Sequence, residues 1–314
     1  MLILLISLIN ICIFYLFVPS KLSENVTIII QPKSSANQIA MTLSDHNVIK
    51  YPNLFLFISQ IYSLKNSLKS GEYTFTPNIS PIQTLRILSS GKSIIHKMVI
   101  PEGTTVNEII MRINNEERLV GDIVGDIPEG FLMPSTYFFS YGDQKEQIID
   151  KMRKLMSSQL DKAMKKLSPN SPLKTRLDVL ILASIIEKEA SLSEEKPLIA
   201  AVFINRLNKH MKLQADPTTI YAITLGKYKL NRALTRKDLS IQSPYNTYYI
   251  FNLPIGAISC PGAESIESAV NPAKINSLYF VANNKGGHNF SDDLDNHNKY
   301  IKIYRKNLIR IQND

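Results

Sequence analysis

The run from Val179 to Ile186 carries no charge and leads directly into Glu187-Lys188-Glu189. Carboxyl groups at the end of an apolar segment are candidates for acid–base chemistry, because loss of solvent favours the neutral acid. The partial negative charge of a helix C-terminus pushes the same way. A glutamic acid still protonated near neutral pH donates a proton to a leaving oxygen, as glycosidic cleavage requires. At a helical step of about 100° per residue the two glutamates point to nearly opposite faces, so a single cleft uses one of them. Glu187 shares its face with Leu180, Ala183 and Ala190, whose small alanines leave room beside it, whereas Glu189 lies with Leu182 and Ile185. On that ground Glu187 is the candidate acid of the two. From spacing alone the expected reading is an ordinary charged helix end, in which Glu187 pairs with Lys188 or a later cation.

Other candidates follow downstream. Asp216 precedes Pro217, the pattern of a helix cap followed by proline in the first turn. Capping is its expected role, and service as a second carboxylate is the alternative. Residues 243–262, SPYNTYYIFNLPIGAISCPG, hold three tyrosines, two asparagines, three prolines and two glycines. That mixture of aromatic faces, amides and hydroxyls either binds sugars or forms a rigid polar loop. His288 follows a glycine turn that could carry it to a cleft. No H-E-x-x-H or paired Cys/His spacing points to a metal, and no P-loop or G-x-G-x-x-G to a nucleotide. S-x-x-K strings at Ser89 and Ser171 lack the S-D-N and K-T-G elements of penicillin-binding acyl enzymes. No cofactor is expected.

These residues need elements to position them. With 314 residues, 44% hydrophobic and 20% charged, the chain is long enough for two or three cores. A net charge of +9 suits a polyanion, an anionic membrane or a wall surface. No aromatic-interleaved basic cluster marks a nucleic-acid site. Leu2 to Val18 is uncharged throughout, close to the roughly 20 residues that cross a bilayer. No small-x-small cleavage site follows it before Pro19-Ser20-Lys21, so a retained anchor is expected. Cys12 lies in that run, which leaves Cys260 without a disulfide partner in the soluble part. VTIII (26–30) and GEYTF (71–75) read as strands around two helices, a compact β-α-α-β unit. A helix near Pro81, a strand at 94–100 and a helix from Val106 follow, then a glycine-marked loop into EGFLMPSTYFF (129–139) and a basic helix over 145–166. Residues 175–190 form a helix apolar on every side, which is normally buried. LYFVA (278–282) reads as a strand.

In order, LASIIEKEA, VFINRL, LQADPTTIYA, YNTY, LPIGAISCPG, NPAK, LYFVA and GGHNFS resemble the YceG-like (MltG) family of endolytic murein transglycosylases. The resemblance covers about residues 26–310, with IPEGTTVNEI as the joining segment. It implies an α+β chain: an N-terminal transmembrane helix (1–20), a small LysM-like domain (21–93), a joining strand and helical subdomain (94–171), and a mixed α/β catalytic domain (172–314). It implies cleavage of the MurNAc–GlcNAc bond within nascent glycan strands, limiting their length. Glu187, the first glutamate of EKE, would be the acid, and closure of the muramic C6 hydroxyl onto C1 would leave a 1,6-anhydro end. One carboxylate suffices when the nucleophile belongs to the substrate, whereas a hydrolase ordinarily needs two. Arg206, Gln214, Asp216, Tyr245, Asn246 and His288 are the implied substrate-binding residues. Implied partners are glycan strands, the inner membrane and the peptidoglycan synthases (penicillin-binding proteins), with the soluble domains on the periplasmic side and no nucleic acid. Met133 and Ser135 depart from the family, which more usually shows an aromatic and an aspartate there. The alternatives are a glycan hydrolase using Glu187 and Asp216, and a non-catalytic wall-binding protein.

Overall fold

The computed structural model describes residues 2–63, 67–284 and 286–313. The chain divides into two compact units, Met1–Met98 with Glu116–Asp122 and Phe138–Lys145, and Val99–Asn115 with Ile123–Tyr137 and Glu146–Asp314.

In the first unit α1 covers Leu2–Leu16, 15 residues. At 1.5 Å per residue it is about 22 Å long, short of a hydrocarbon core of about 30 Å. No helix among the described residues is long and apolar enough to cross a membrane. The helix stops at Leu16, three residues before Pro19. Its last turn is committed to protein: Tyr15 is buried and donates its hydroxyl to the Tyr51 carbonyl at 3.2 Å. Ile3, Ile6, Ile13, Phe14 and Phe17 remain exposed.

The β-α-α-β unit forms as the pattern predicts. β1 (Val26–Ile30) pairs antiparallel with β2 (Gly71–Phe75), Val26 opposite Phe75 and Ile30 opposite Gly71. Between them lie α2 (Ala36–Asp45) and α3 (Pro52–Ser63). Ser35 and Gln38 form a reciprocal capping box at the start of α2. Alternation along β1 sends Ile28 and Ile30 inward, onto Ile39, Leu43, Phe55, Tyr73 and Phe75. α4 (Pro81–Ser90) closes this core with Leu85 and Leu88. β3 (Ile95–Val99) pairs with β4 (Thr136–Ser140).

The second unit is mainly helical. α5 (Val106–Asn114) and α6 (Lys145–Met164) precede its central helix, α7 (Arg176–Glu189). Thr175 caps α7 through a box with Asp178, and every residue from Val179 to Ile186 is buried. Each buried Leu, Ile or Val there contributes about 1.5–3 kcal/mol relative to exposure. α7 is surrounded by α8 (Lys196–Asn208), α9 (Asp216–Thr224) and α11 (Ala263–Val270). A 3-10 turn at Ser193–Glu195 joins α7 to α8, and the short α10 (Arg236–Leu239) follows α9. β5 (Tyr279–Ala282) and β6 (His288–Ser291) form a hairpin, Ala282 opposite His288, before α12 (Leu294–Asn313). Both cysteines are free thiols.

Candidate active site

The end of α7, the start of α9 and the β5–β6 hairpin meet around a cleft of about 330 Å³. Its polar wall is Glu189, Arg206, Gln214, Asp216, Tyr248, His288 and His297, and Phe280 is the largest group of its apolar wall. Glu189 ends α7, where the helix dipole opposes a negative charge. Among the described residues it has neither a hydrogen-bond partner nor an ion pair. Burial pushes its carboxyl up to about 8, and the Asp216 carboxylate adds in the same direction. A carboxylic acid that keeps its proton at neutral pH therefore stands in a cleft beside a second acidic residue.

Asp216 does not cap α9. Ala215 occupies the cap position without a side-chain bond, Asp216 is the first helical residue, and its Oδ1 accepts from the Tyr248 hydroxyl at 2.6 Å. Burial and that bond push the Tyr248 phenol well above its usual range. Next to Asp216, Gln214 sits in the left-handed region (φ 51°) and donates its N–H to the Thr247 carbonyl. Arg206 borders the cleft but is largely committed to backbone. Nε donates to the Leu278 carbonyl at 2.6 Å, Nη1 donates to the Leu213 carbonyl at 2.8 Å, and the guanidinium lies over the Tyr279 ring. It ties α8 to β5 and to the loop that presents Gln214 and Asp216. His288 presents its ring to the cleft from β6, with Nδ1 2.6 Å from Glu195 Oε2.

Glu187 lies elsewhere. Its side chain, only 7% exposed, pairs with the Lys196 ammonium at 3.2 Å. Its Oε2 accepts from the Gly262 N–H at 2.9 Å and the Ser265 hydroxyl at 2.6 Å. The room beside Glu187 is filled by α11, whose N-terminus receives the carboxylate. Donors from three residues converge on it, the setting of a carboxylate that holds helices together. The plainer expectation, pairing with a later cation, describes it.

Of the residues expected to bind substrate, Arg206, Gln214, Asp216 and His288 come together at the cleft, and Tyr245 and Asn246 do not line it. Tyr245 packs on the Tyr221 ring, centroids 4.9 Å apart. Asn246 is fully buried: its amide donates to the Leu239 and Ile241 carbonyls and accepts from the Thr219 hydroxyl and the Tyr248 N–H. It fixes the loop that carries Tyr248. Met133 and Ser135 do not line the cleft either. Sequence reasoning set Glu189 aside in favour of Glu187 and passed over Tyr248 and Lys196. A signal existed for two of them, since Glu189 at a helix C-terminus and Lys196 at a helix N-terminus both oppose the local dipole.

The same chain can be set against known proteins. The model of the YceG-like family matches residues 28–303. An endolytic murein transglycosylase of Bacillus subtilis (strain 168) is 32% identical, the match covering 91% of this chain and 86% of the relative. One of the same name from Streptococcus pneumoniae (serotype 2, strain D39) is 28% identical over 88% of this chain, which spans 58% of that longer relative. A crystal structure of a yceG-like protein from Listeria monocytogenes superposes with a TM-score of 0.55 at 34% identity, covering 88% of this chain and 99% of that one. A family match across both units, and a solved relative at this level of identity, agree with one another: the chain belongs to the YceG-like family.

Proposed function

We propose that this chain is a lytic transglycosylase acting on peptidoglycan, with Glu189 as its acid and then its base. The observation that carries the proposal is a buried carboxyl without a hydrogen-bond or ion-pair partner among the described residues, placed in the cleft at the end of the unit's central helix, where burial pushes its pKa up to about 8. Glu189 protonates the glycosidic oxygen between MurNAc and GlcNAc as the C1–O bond breaks, leaving an oxocarbenium-like centre. The carboxylate so formed accepts the proton of the muramic C6 hydroxyl while its oxygen bonds to C1. The proton cycles, no water is consumed, and the product ends in a 1,6-anhydro ring. Asp216 raises the proton affinity of Glu189 and supplies negative charge near the developing cation. No step needs a cofactor. The names of the Bacillus and Streptococcus relatives support the substrate class and an endolytic cut.

One observation favours a second reading: Glu189 and Asp216 share the cleft, and paired carboxylates also serve hydrolases. The hydrolase pair expected from sequence, Glu187 with Asp216, has only Asp216 there. For location we propose that the uncharged run holding α1, with Ile3, Ile6, Ile13, Phe14 and Phe17 exposed, anchors the chain in the membrane, near strands emerging from the synthases on its outer side. The test is to incubate the chain with peptidoglycan glycan strands and weigh the new muramic ends. Ends lighter by one water than a hydrolysis product support the transglycosylase, ordinary reducing ends support the hydrolase, and no new ends from folded protein overturn both.

A further inference from the structure

Glu195 was singled out by no sequence motif, yet it holds His288, which lines the same cleft as Glu189. It is nearly buried in the 3-10 turn before α8. One oxygen, Oε1, accepts the His288 backbone N–H at 2.7 Å, and the other, Oε2, lies 2.6 Å from His288 Nδ1. The contact also explains the glycine before the histidine, because a Cβ at Gly287 would collide with the Glu195 carboxylate. Phe280 meets the imidazole edge-on from β5, centroids 5.3 Å apart. The ring is therefore held by a carboxylate at one nitrogen and by an aromatic wall, at the edge of a cleft it helps to line.

A carboxylate only accepts, so Nδ1 carries the hydrogen it gives to Glu195. The remaining nitrogen, Nε2, has no partner among the described residues and is not sealed from solvent. In the neutral ring that nitrogen is an acceptor. We propose that Glu195 is a positioning residue that fixes His288 as the acceptor for a donor group of the glycan, a sugar hydroxyl or acetamido N–H, in the Glu189 cleft. The proposal rests on the transglycosylase reading for the identity of the ligand and not for the tautomer. The charged and titratable groups that line the cleft with His288 are Glu189 from α7, Arg206 from α8, Asp216 from α9, Tyr248 from the loop after α10 and His297 from α12. The direct carboxylate contact is with Glu195 from the turn before α8.

Glu195→Gln separates position from charge. The amide oxygen keeps the backbone N–H, and the amide NH₂ then faces Nδ1, which must accept. The ring hydrogen moves to Nε2, so an acceptor in the cleft becomes a donor. The experiment labels the five histidines of the full chain with ¹⁵N, assigns His288 by His288→Asn, and adds peptidoglycan glycan strands. Expected are an Nδ1–H tautomer in the wild type, an Nε2–H tautomer in Glu195→Gln, and a shift of the wild-type Nε2 signal on adding glycan. With unchanged melting, Glu195→Gln should lose up to about tenfold in the rate of forming anhydro ends, the loss of one hydrogen bond to substrate, with an altered pH profile. An Nε2–H tautomer in the wild type, or full activity with an unchanged pH profile in Glu195→Gln, overturns the assignment. If glycan shifts His288 but no anhydro ends form, the assignment stands and the transglycosylase reading falls.

Discussion

Replacing Glu189 by glutamine removes a carboxyl that the fold protonates at a cost in stability. Its pKa is about 8 in the folded chain against an ordinary 4.5. Between those values the folded state binds the proton and the unfolded state does not, so stability falls as pH rises through the window. The slope is about 1.4 kcal/mol per pH unit, reaching up to about 5 kcal/mol near pH 8 and constant beyond it. Glutamine has no such proton. Glu189→Gln should therefore match the wild type near pH 4.5 and gain on it steadily to pH 8, read by denaturant unfolding at pH 5, 7 and 9. The same titration governs cleavage by the wild type. The carboxyl is about nine-tenths protonated at pH 7 and about one-tenth at pH 9, so the rate of acid-dependent cleavage should fall about tenfold between them. A variant with the same stability gap at pH 5 and pH 9, or wild-type cleavage already lost on passing from pH 4 to pH 6, would refute the reasoning.

Lys196→Met should cost about 3–5 kcal/mol in equilibrium unfolding, because it leaves Glu187 buried without its cation. Adding Glu187→Leu should recover much of that loss. Gly130→Ala should lower the melting temperature by an amount equivalent to more than about 1–2 kcal/mol. Gly130 has φ 88°, and a Cβ there would stand 2.6 Å from that of Ala257. Asn246→Ala should cost about 1–3 kcal/mol by stranding the Leu239 and Ile241 carbonyls.

Much of the fold could be read from local pattern. The β-branched run at 26–30, the glycine-opened strand at 71–75 and the Ser35–Gln38 box each state their structure within a few residues, and the β-α-α-β unit follows. The uncharged stretch Val179–Ile186 likewise identified a buried helix. What local pattern does not carry is the step from a helix face to its neighbour. Ala183 and Ala190 do leave space beside Glu187, but nothing local says whether substrate or another helix takes it. It was α11, which is 74 residues further along the chain from Glu189 to Ala263 and brings Ser265 and the Gly262 N–H to the carboxylate. Asp216 shows the same limit. Its pattern fits a cap, yet the Tyr248 hydroxyl, delivered by a loop that Asn246 ties down, gives it another partner. The N-terminal run was uncharged as expected, but composition does not report that Tyr15 turns into the core of the first unit.

The central claim is that Glu189, and not Glu187, gives the proton. Glu187→Gln and Glu189→Gln should be compared at equal folded concentration on the same glycan strands at pH 7, counting anhydro-muramic ends by mass spectrometry. The account predicts that Glu189→Gln forms none while Glu187→Gln, though less stable, still forms them. Anhydro ends from Glu189→Gln, together with their loss in folded Glu187→Gln, would contradict it.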